Sequence, residues 1–200
     1  MFDFSFAYNK EALGLFAIAL TLYAFFPYIR SIHKGETKPH MFSWILWGAT
    51  TFIVFLAQYS DEGGAGAWPI GVSGLITLYV AGLAYVKKSD VTITKSDWVF
   101  FSLGIWSLPL WYITSDPLWA VVVLTFIDLV GFIPTFKKSF THPHDEQLGF
   151  YIIMTARNFI SILALQNYSL TTVLFPAAVG VAALLFVMMV IIQRAKLRSH

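Results

Sequence analysis

The sequence predicts an all-α membrane protein, and three observations carry that prediction. Only 12% of the 200 residues are charged and 58% are hydrophobic, whereas an average soluble domain is roughly 25% charged. A soluble body this small must expose much of its surface, and it has no interior large enough to hide so much apolar side chain. The apolar residues gather into seven runs near the roughly 20 residues that cross a bilayer as a helix. The basic residues fall almost wholly into alternate connections between those runs.

The first run spans Ala12 to Ile29 and stops at Arg30, and the second spans Met41 to Ser60 and stops at Asp61. The third extends from Gly63 to Val86 before Lys87, and the fourth from Trp98 to Ser115. The fifth covers Leu118 to Lys137 with Asp128 inside it, the sixth Gln147 to Gln166 with Arg157 inside it, and the seventh Leu170 to Gln193. None alternates with the period of two that a barrel strand needs, so each is read as a helix. The connections are short, which predicts one bundle with no soluble domain. Met1 to Lys10 is aromatic rather than basic, and no small-residue cleavage pattern precedes Pro27, so a cleavable signal peptide is not expected.

Lys and Arg set the orientation, because cytoplasmic loops carry their excess. Arg30, Lys34 and Lys38 lie between runs one and two, and Lys87, Lys88 and Lys95 between three and four. Lys137 and Lys138 lie between five and six, and Arg194, Lys196 and Arg198 follow run seven. With seven spans all of these share one face, while the other face has Lys10 alone beside Asp3, Glu11, Asp61, Glu62 and Asp116. The expectation is a multi-pass protein with its N-terminus outside and its C-terminus cytoplasmic, in a bacterial inner membrane or equivalent.

Runs one to three repeat in runs five to seven. Pro27 and Pro134, Pro69 and Pro176, and Lys87 and Arg194 are each 107 residues apart. The pairs Pro39-His40 and Pro143-His144 follow at an offset of 104. The expected division is a first three-helix repeat over 1–88, a linker helix with its loops over 89–116, and a second three-helix repeat over 117–200. Four spans separate equivalents, so the repeats are parallel, an architecture that recurs in transporters with the site between the repeats.

This arrangement resembles the PQ-loop and SWEET-type superfamily of seven-helix membrane proteins along essentially the whole chain. In that family each three-helix bundle carries a proline near the cytoplasmic end of its first helix and another near the start of its second. Pro27, Pro39, Pro134 and Pro143 match those positions. Tyr28 and Thr135 stand where the PQ motif has glutamine, and the third-helix asparagines of sugar-transporting members are absent, with Ser73 and Thr77 on run three instead. The resemblance implies two parallel three-helix bundles joined by a linker helix (3+1+3).

Asp128 and Arg157 are the most informative side chains. Each costs roughly 2.5 to 3.5 kcal/mol at a helix centre on insertion scales. Their distances from the ends of their runs put both near mid-membrane, on consecutive helices, where they are expected to pair directly or through water, as a solute site or as a structural lock. Asn158 follows Arg157. Trp44, Trp47, Thr51 and Gln58 fall on one helical stripe, with Trp44 near enough the helix end to act as an interfacial anchor and the others deeper. The expected solute-binding set is Trp47, Thr51, Gln58, Asp128, Arg157 and Asn158. Proline bends a helix, so Pro27, Pro39, Pro134 and Pro143 are expected hinges. Trp68, Trp98, Trp111 and Trp119 are read as interfacial anchors.

These features predict a transporter or facilitator of a small polar solute, working by alternating access between two repeats. The alternative is a receptor or assembly factor of the same fold that moves nothing, since fold does not fix function. An enzyme is not expected, because there is no cysteine, no HExxH and no histidine inside any run. Run seven has no lysine for a retinal Schiff base. No cofactor and no metal is expected: His142-Pro-His144-Asp145-Glu146 reads as a solvated loop, and Glu62-Gly63-Gly64-Ala65-Gly66 as a turn without a phosphate-binding pattern. The expected partners are a small-molecule solute and the lipid bilayer, with no nucleic acid; the architecture also admits a homo-oligomer.

Overall fold

The computed structural model describes residues 9–37, 39, 41–87, 95–144 and 148–198, the side chains of 96, 97, 134, 138 and 198 excepted. Among these residues all regular structure is helical. The helices are α1 (Lys10–His33), α2 (Met41–Ser60), α3 (Trp68–Val86), α4 (Lys95–Thr114), α5 (Leu118–Thr141), α6 (Leu148–Leu163) and α7 (Leu170–Arg198), with a 3-10 turn at Gly64–Gly66. Five segments are long and apolar enough to cross a membrane, namely α1, α2, Gly64–Val86, α5 and α7 to Leu197. The apolar stretches Trp98–Thr114 of α4 and Leu148–Leu163 of α6 are shorter.

Local chemistry explains the helix ends. The Asn9 side chain accepts hydrogen bonds from the amides of Glu11 and Ala12 at 3.0 and 3.3 Å, capping α1. The third apolar run does not begin as a regular helix. Glu62 and Gly64 adopt φ of 56° and 59°, a left-handed conformation that glycine takes at no steric cost. Pro69, which has no N–H to offer, then sits in the first turn of α3. The sixth run stops at Leu163 rather than Gln166 because its last donors are diverted. The Leu165 amide bonds the Ile162 carbonyl at 3.1 Å, and the Gln166 amide leaves the helix for the Gly63 carbonyl at 3.1 Å.

The order of packing is not the order of sequence. α3 lies against both α1 and α2, α7 lies against both α5 and α6, and the two sets meet where α2 touches α5 and α1 touches α6. The six helices therefore close into a ring in the order α1, α3, α2, α5, α7, α6. α4 packs on α5 and α2, outside that ring. A core of Val54, Ala57, Ile70, Val121, Leu124, Ile127 and Phe175 ties α2, α3, α5 and α7 together.

Polarity is distributed as lipid demands. Thr21, Thr50, Gln58, Ser73, Arg157, Asn158 and Ser161 are buried, while Phe26, Tyr112, Ile113, Leu185 and Ile191 are exposed. In lipid the hydrophobic effect does not hold helices together, so close packing and interhelical hydrogen bonds must. A cluster of such hydrogen bonds lies at the end of the ring that carries Lys10. There the Gln58 side-chain amide donates to the Thr172 carbonyl at 2.7 Å, and the Asn167 side-chain amide to the Asp61 carbonyl at 3.0 Å. The Ser169 hydroxyl donates to the Asp61 carboxylate. Lys10 Nζ donates to the Leu165 carbonyl at 2.6 Å and stands over the Tyr168 ring. The turn between α2 and α3 and the turn between α6 and α7 are thus interlocked.

Candidate functional site

A cavity of about 840 Å³ occupies the middle of the ring, within the roughly 300–1,000 Å³ usual for small-molecule sites. All six ring helices line it and α4 does not. Its rim includes Ser31, Glu36 and Thr37, and its far wall includes Ser73, Phe175 and Val179. Glu36 is exposed, whereas Ser73 and Phe175 are buried. The cavity therefore enters from the end opposite Lys10. Beyond its floor come the apolar core around Phe175 and then the interlocked turns, with Thr172 and Gln58 at their centre.

Four of the six expected site residues, Trp47, Thr51, Asp128 and Arg157, line the cavity. Gln58 and Asn158 do not. Gln58 is fully buried in the interlocked end. Asn158 is also fully buried and spends its side-chain amide on the Met154 carbonyl at 2.9 Å, one turn back in its own helix. The carboxamide oxygens of both have no hydrogen-bond partner.

Asp128 and Arg157, expected to pair directly or through water, make no direct ion pair. The one ion pair among the described residues joins Lys34 and Glu36 at 3.5 Å. The reason is topological, since α7 packs against both α5 and α6, and both charges line the cavity. Thr50 Oγ1 donates to Asp128 Oδ1 at 3.4 Å and also to the Trp47 carbonyl at 3.1 Å. Arg157 is 3% exposed, yet its Nε and Nη1 have no partner, and Nη2 reaches only the Met154 sulfur at 3.9 Å.

Aromatic side chains line the cavity in two walls joined by Phe25, which is edge-on to Trp44 at 6.5 Å and to Phe150 at 5.8 Å. On one side Tyr28 stacks on Trp44 at 5.0 Å and 24°, and Trp47 meets Trp44 edge-on at 5.9 Å. On the other Phe132 stacks on Tyr151 at 5.8 Å and 27°, with Phe150 edge-on to Tyr151 at 5.4 Å. Trp44 is thus a cavity residue rather than an interfacial anchor. Among the expected anchors, Trp98 and Trp119 are half exposed on the outside.

Of the expected hinges, Pro27 lies inside α1 and lines the cavity. Pro39 and Pro143 are buried at the entrance end, and the Pro143 carbonyl accepts from Arg194 Nε at 2.9 Å. Pro134 falls within α5, and its side chain lies outside the described residues. Sequence reasoning missed Thr50, Tyr28 and the interlocked turns.

Comparison of the chain with protein-family models, curated proteins and solved structures gives no match. The class that fold and site define is an all-helical protein whose apolar helices suit a membrane, wrapped around a polar and aromatic cavity entered from one end.

Proposed function

We propose that the chain is a transporter or facilitator of a small polar solute, built from seven membrane spans as two parallel three-helix repeats around a linker helix. The observation that carries this reading is the one-ended cavity, which reaches Asp128 and Arg157 at the middle of the ring and stops at the interlocked turns. A site at mid-membrane that is open at one end and sealed at the other is what alternating access requires.

Two further observations support the repeats. The order α1, α3, α2 in the first half matches α5, α7, α6 in the second, and each half touches the other through equivalent helices. The residues at the 107 offset also behave alike. Lys87 Nζ donates at 3.5 Å to the carbonyl of His33, the last residue of the first repeat's opening helix, and Arg194 Nε at 2.9 Å to the carbonyl of Pro143, two residues beyond the second's. This architecture fits the resemblance to the PQ-loop and SWEET-type superfamily. With the orientation expected from the Lys and Arg distribution, the cavity entrance at Glu36 is on the cytoplasmic side in this reading, and the state is inward-open. In this reading α4 is the linker, and Pro27 and Pro134, which lie within α1 and α5, give the helix bends about which the cavity closes. Pro39 and Pro143, expected as hinges too, lie in connections outside the helices.

The test is counterflow in proteoliposomes against a panel of sugars, amino acids, nucleosides and vitamins. At least one class should exchange, and Trp47→Ala should abolish that exchange while thermal unfolding stays cooperative. Absence of exchange for every class, with a protein partner co-purifying, would replace transport by the receptor or assembly reading.

A further inference from the structure

This inference rests on the transport reading and names the solute class. We propose that the cavity takes a zwitterion bearing a flat ring, with its carboxylate on the Arg157 guanidinium, its ammonium on the Asp128 carboxylate, and its ring between the two aromatic walls.

The charges make the case. Arg157 is buried in the cavity wall with two guanidinium nitrogens unpartnered. A guanidinium is the side chain best matched to a planar carboxylate, because its donors form a fixed fork. Asp128 receives one long hydrogen bond, from Thr50, and an ionised carboxylate has about four lone-pair sites. Capacity for an incoming donor therefore remains. The two groups carry opposite charge and line one cavity, yet form no ion pair. A solute with a single charge would satisfy one of them and leave the other desolvated and unpaired, which is strongly unfavourable. A neutral polyol would compensate neither. A solute carrying both signs compensates both at once.

The walls supply the second half of the description. The stacked pairs Tyr28–Trp44 and Phe132–Tyr151 stand on helices from opposite halves of the ring. Aromatic rings favour offset-stacked or edge-to-face partners, so a flat ring entering between the walls gains contacts that a short aliphatic zwitterion cannot.

The experiment is isothermal titration of the purified full chain in nanodiscs with L-tryptophan, tryptamine, indole-3-propionate and uridine, with counterflow run on any compound that binds. L-Tryptophan should bind, and removing either its carboxylate (tryptamine) or its amine (indole-3-propionate) should weaken binding at least tenfold. Arg157→Gln should erase the penalty for the missing carboxylate, and Asp128→Asn the penalty for the missing amine. If a variant does not fold, the ligand series on the unaltered protein decides alone. Binding of uridine with all three indoles silent overturns the zwitterion class and leaves transport standing. Indole-3-propionate binding as tightly as L-tryptophan, with no response to Asp128→Asn, also overturns it. The tryptophan pattern in binding without counterflow supports the class and removes transport.

Discussion

Arg157→Met is expected to leave the protein folded, with a melting temperature equal to or above that of the unaltered chain, and to weaken solute binding about 10- to 100-fold. Arg157 is 3% exposed, two of its guanidinium nitrogens have no partner, and no acidic side chain among the described residues lies within ion-pair distance. A charge in that position is a cost to the fold, of roughly 2.5 to 3.5 kcal/mol for arginine at a helix centre. Methionine has similar length, no charge, and a neighbour of its own kind in Met154. The lost bond to the solute's carboxylate is charge-assisted, worth about 1.5–3 kcal/mol, and tenfold in affinity corresponds to about 1.4 kcal/mol. A structural lock between α5 and α6 would behave in the opposite way, since removing one partner of a buried pair costs about 3–5 kcal/mol. Thermal melts and titrations on the same preparation separate the two. A large fall in melting temperature with solute affinity unchanged would make Arg157 structural.

Gly66→Val is the second substitution with a large expected effect, and it acts at the other end of the ring. A Cβ at Gly66 would fall 2.5 Å from the Ser161 carbonyl oxygen and 2.6 Å from the Leu165 amide nitrogen. Both are backbone atoms, so no side-chain rotation relieves the clash, and the turn must lift away from α6. Overpacking of this kind costs about 1–3 kcal/mol. The same movement pulls the Gly63 carbonyl from the Gln166 amide and the Gln58 amide from the Thr172 carbonyl, which unseals the Lys10 end. Gly82→Val is the control, because a Cβ there meets nothing within 4 Å. Melting temperatures in detergent should fall clearly for Gly66→Val and little for Gly82→Val. Equal shifts for the two would mean that the turn is not packed as described.

Much of the fold was legible because membrane helices announce themselves by length and composition. The ends of α2 at Met41 and Ser60 could be read directly, where an apolar run meets a charged or turn-forming string. The end of α6 could not, because Gln166 gives its amide to Gly63, a partner about a hundred residues away. No local signal encodes such a contact. The string of glycines from 63 to 66 offered a clue, since three glycines at the mouth of an apolar run are poor helix formers, but a turn and a seal look alike in sequence.

The site divides in the same way. Asp128 and Arg157 stood out by chemistry alone, and both line the cavity. The absence of a direct contact between them goes with α7 packing against both of their helices, a topology that neighbouring positions in the chain concealed. Thr51 was chosen by its place on a stripe, and Thr50 beside it proved to be the hydrogen-bond donor to Asp128. Helical periodicity gives the faces of a helix but not the direction in which each face looks, and that direction is set by the neighbours. The same gap explains Gln58. It belongs to the stripe of Trp44, Trp47 and Thr51, but two turns beyond Thr51 the stripe has left the cavity and entered the interlocked end.

In the proposed function a single mid-membrane site is reached from the cytoplasm and sealed from outside. The chain contains no cysteine, so a lone Ser73→Cys at the cavity's far wall can be followed without interference. The measurement is its rate of modification by a membrane-impermeant thiol reagent in inside-out and right-side-out vesicles. The account predicts modification at least tenfold faster in inside-out vesicles, slowed by a transported solute. Equal rates from both faces would contradict it, as would modification from the outer face alone, for the first describes an open pore and the second an inverted protein.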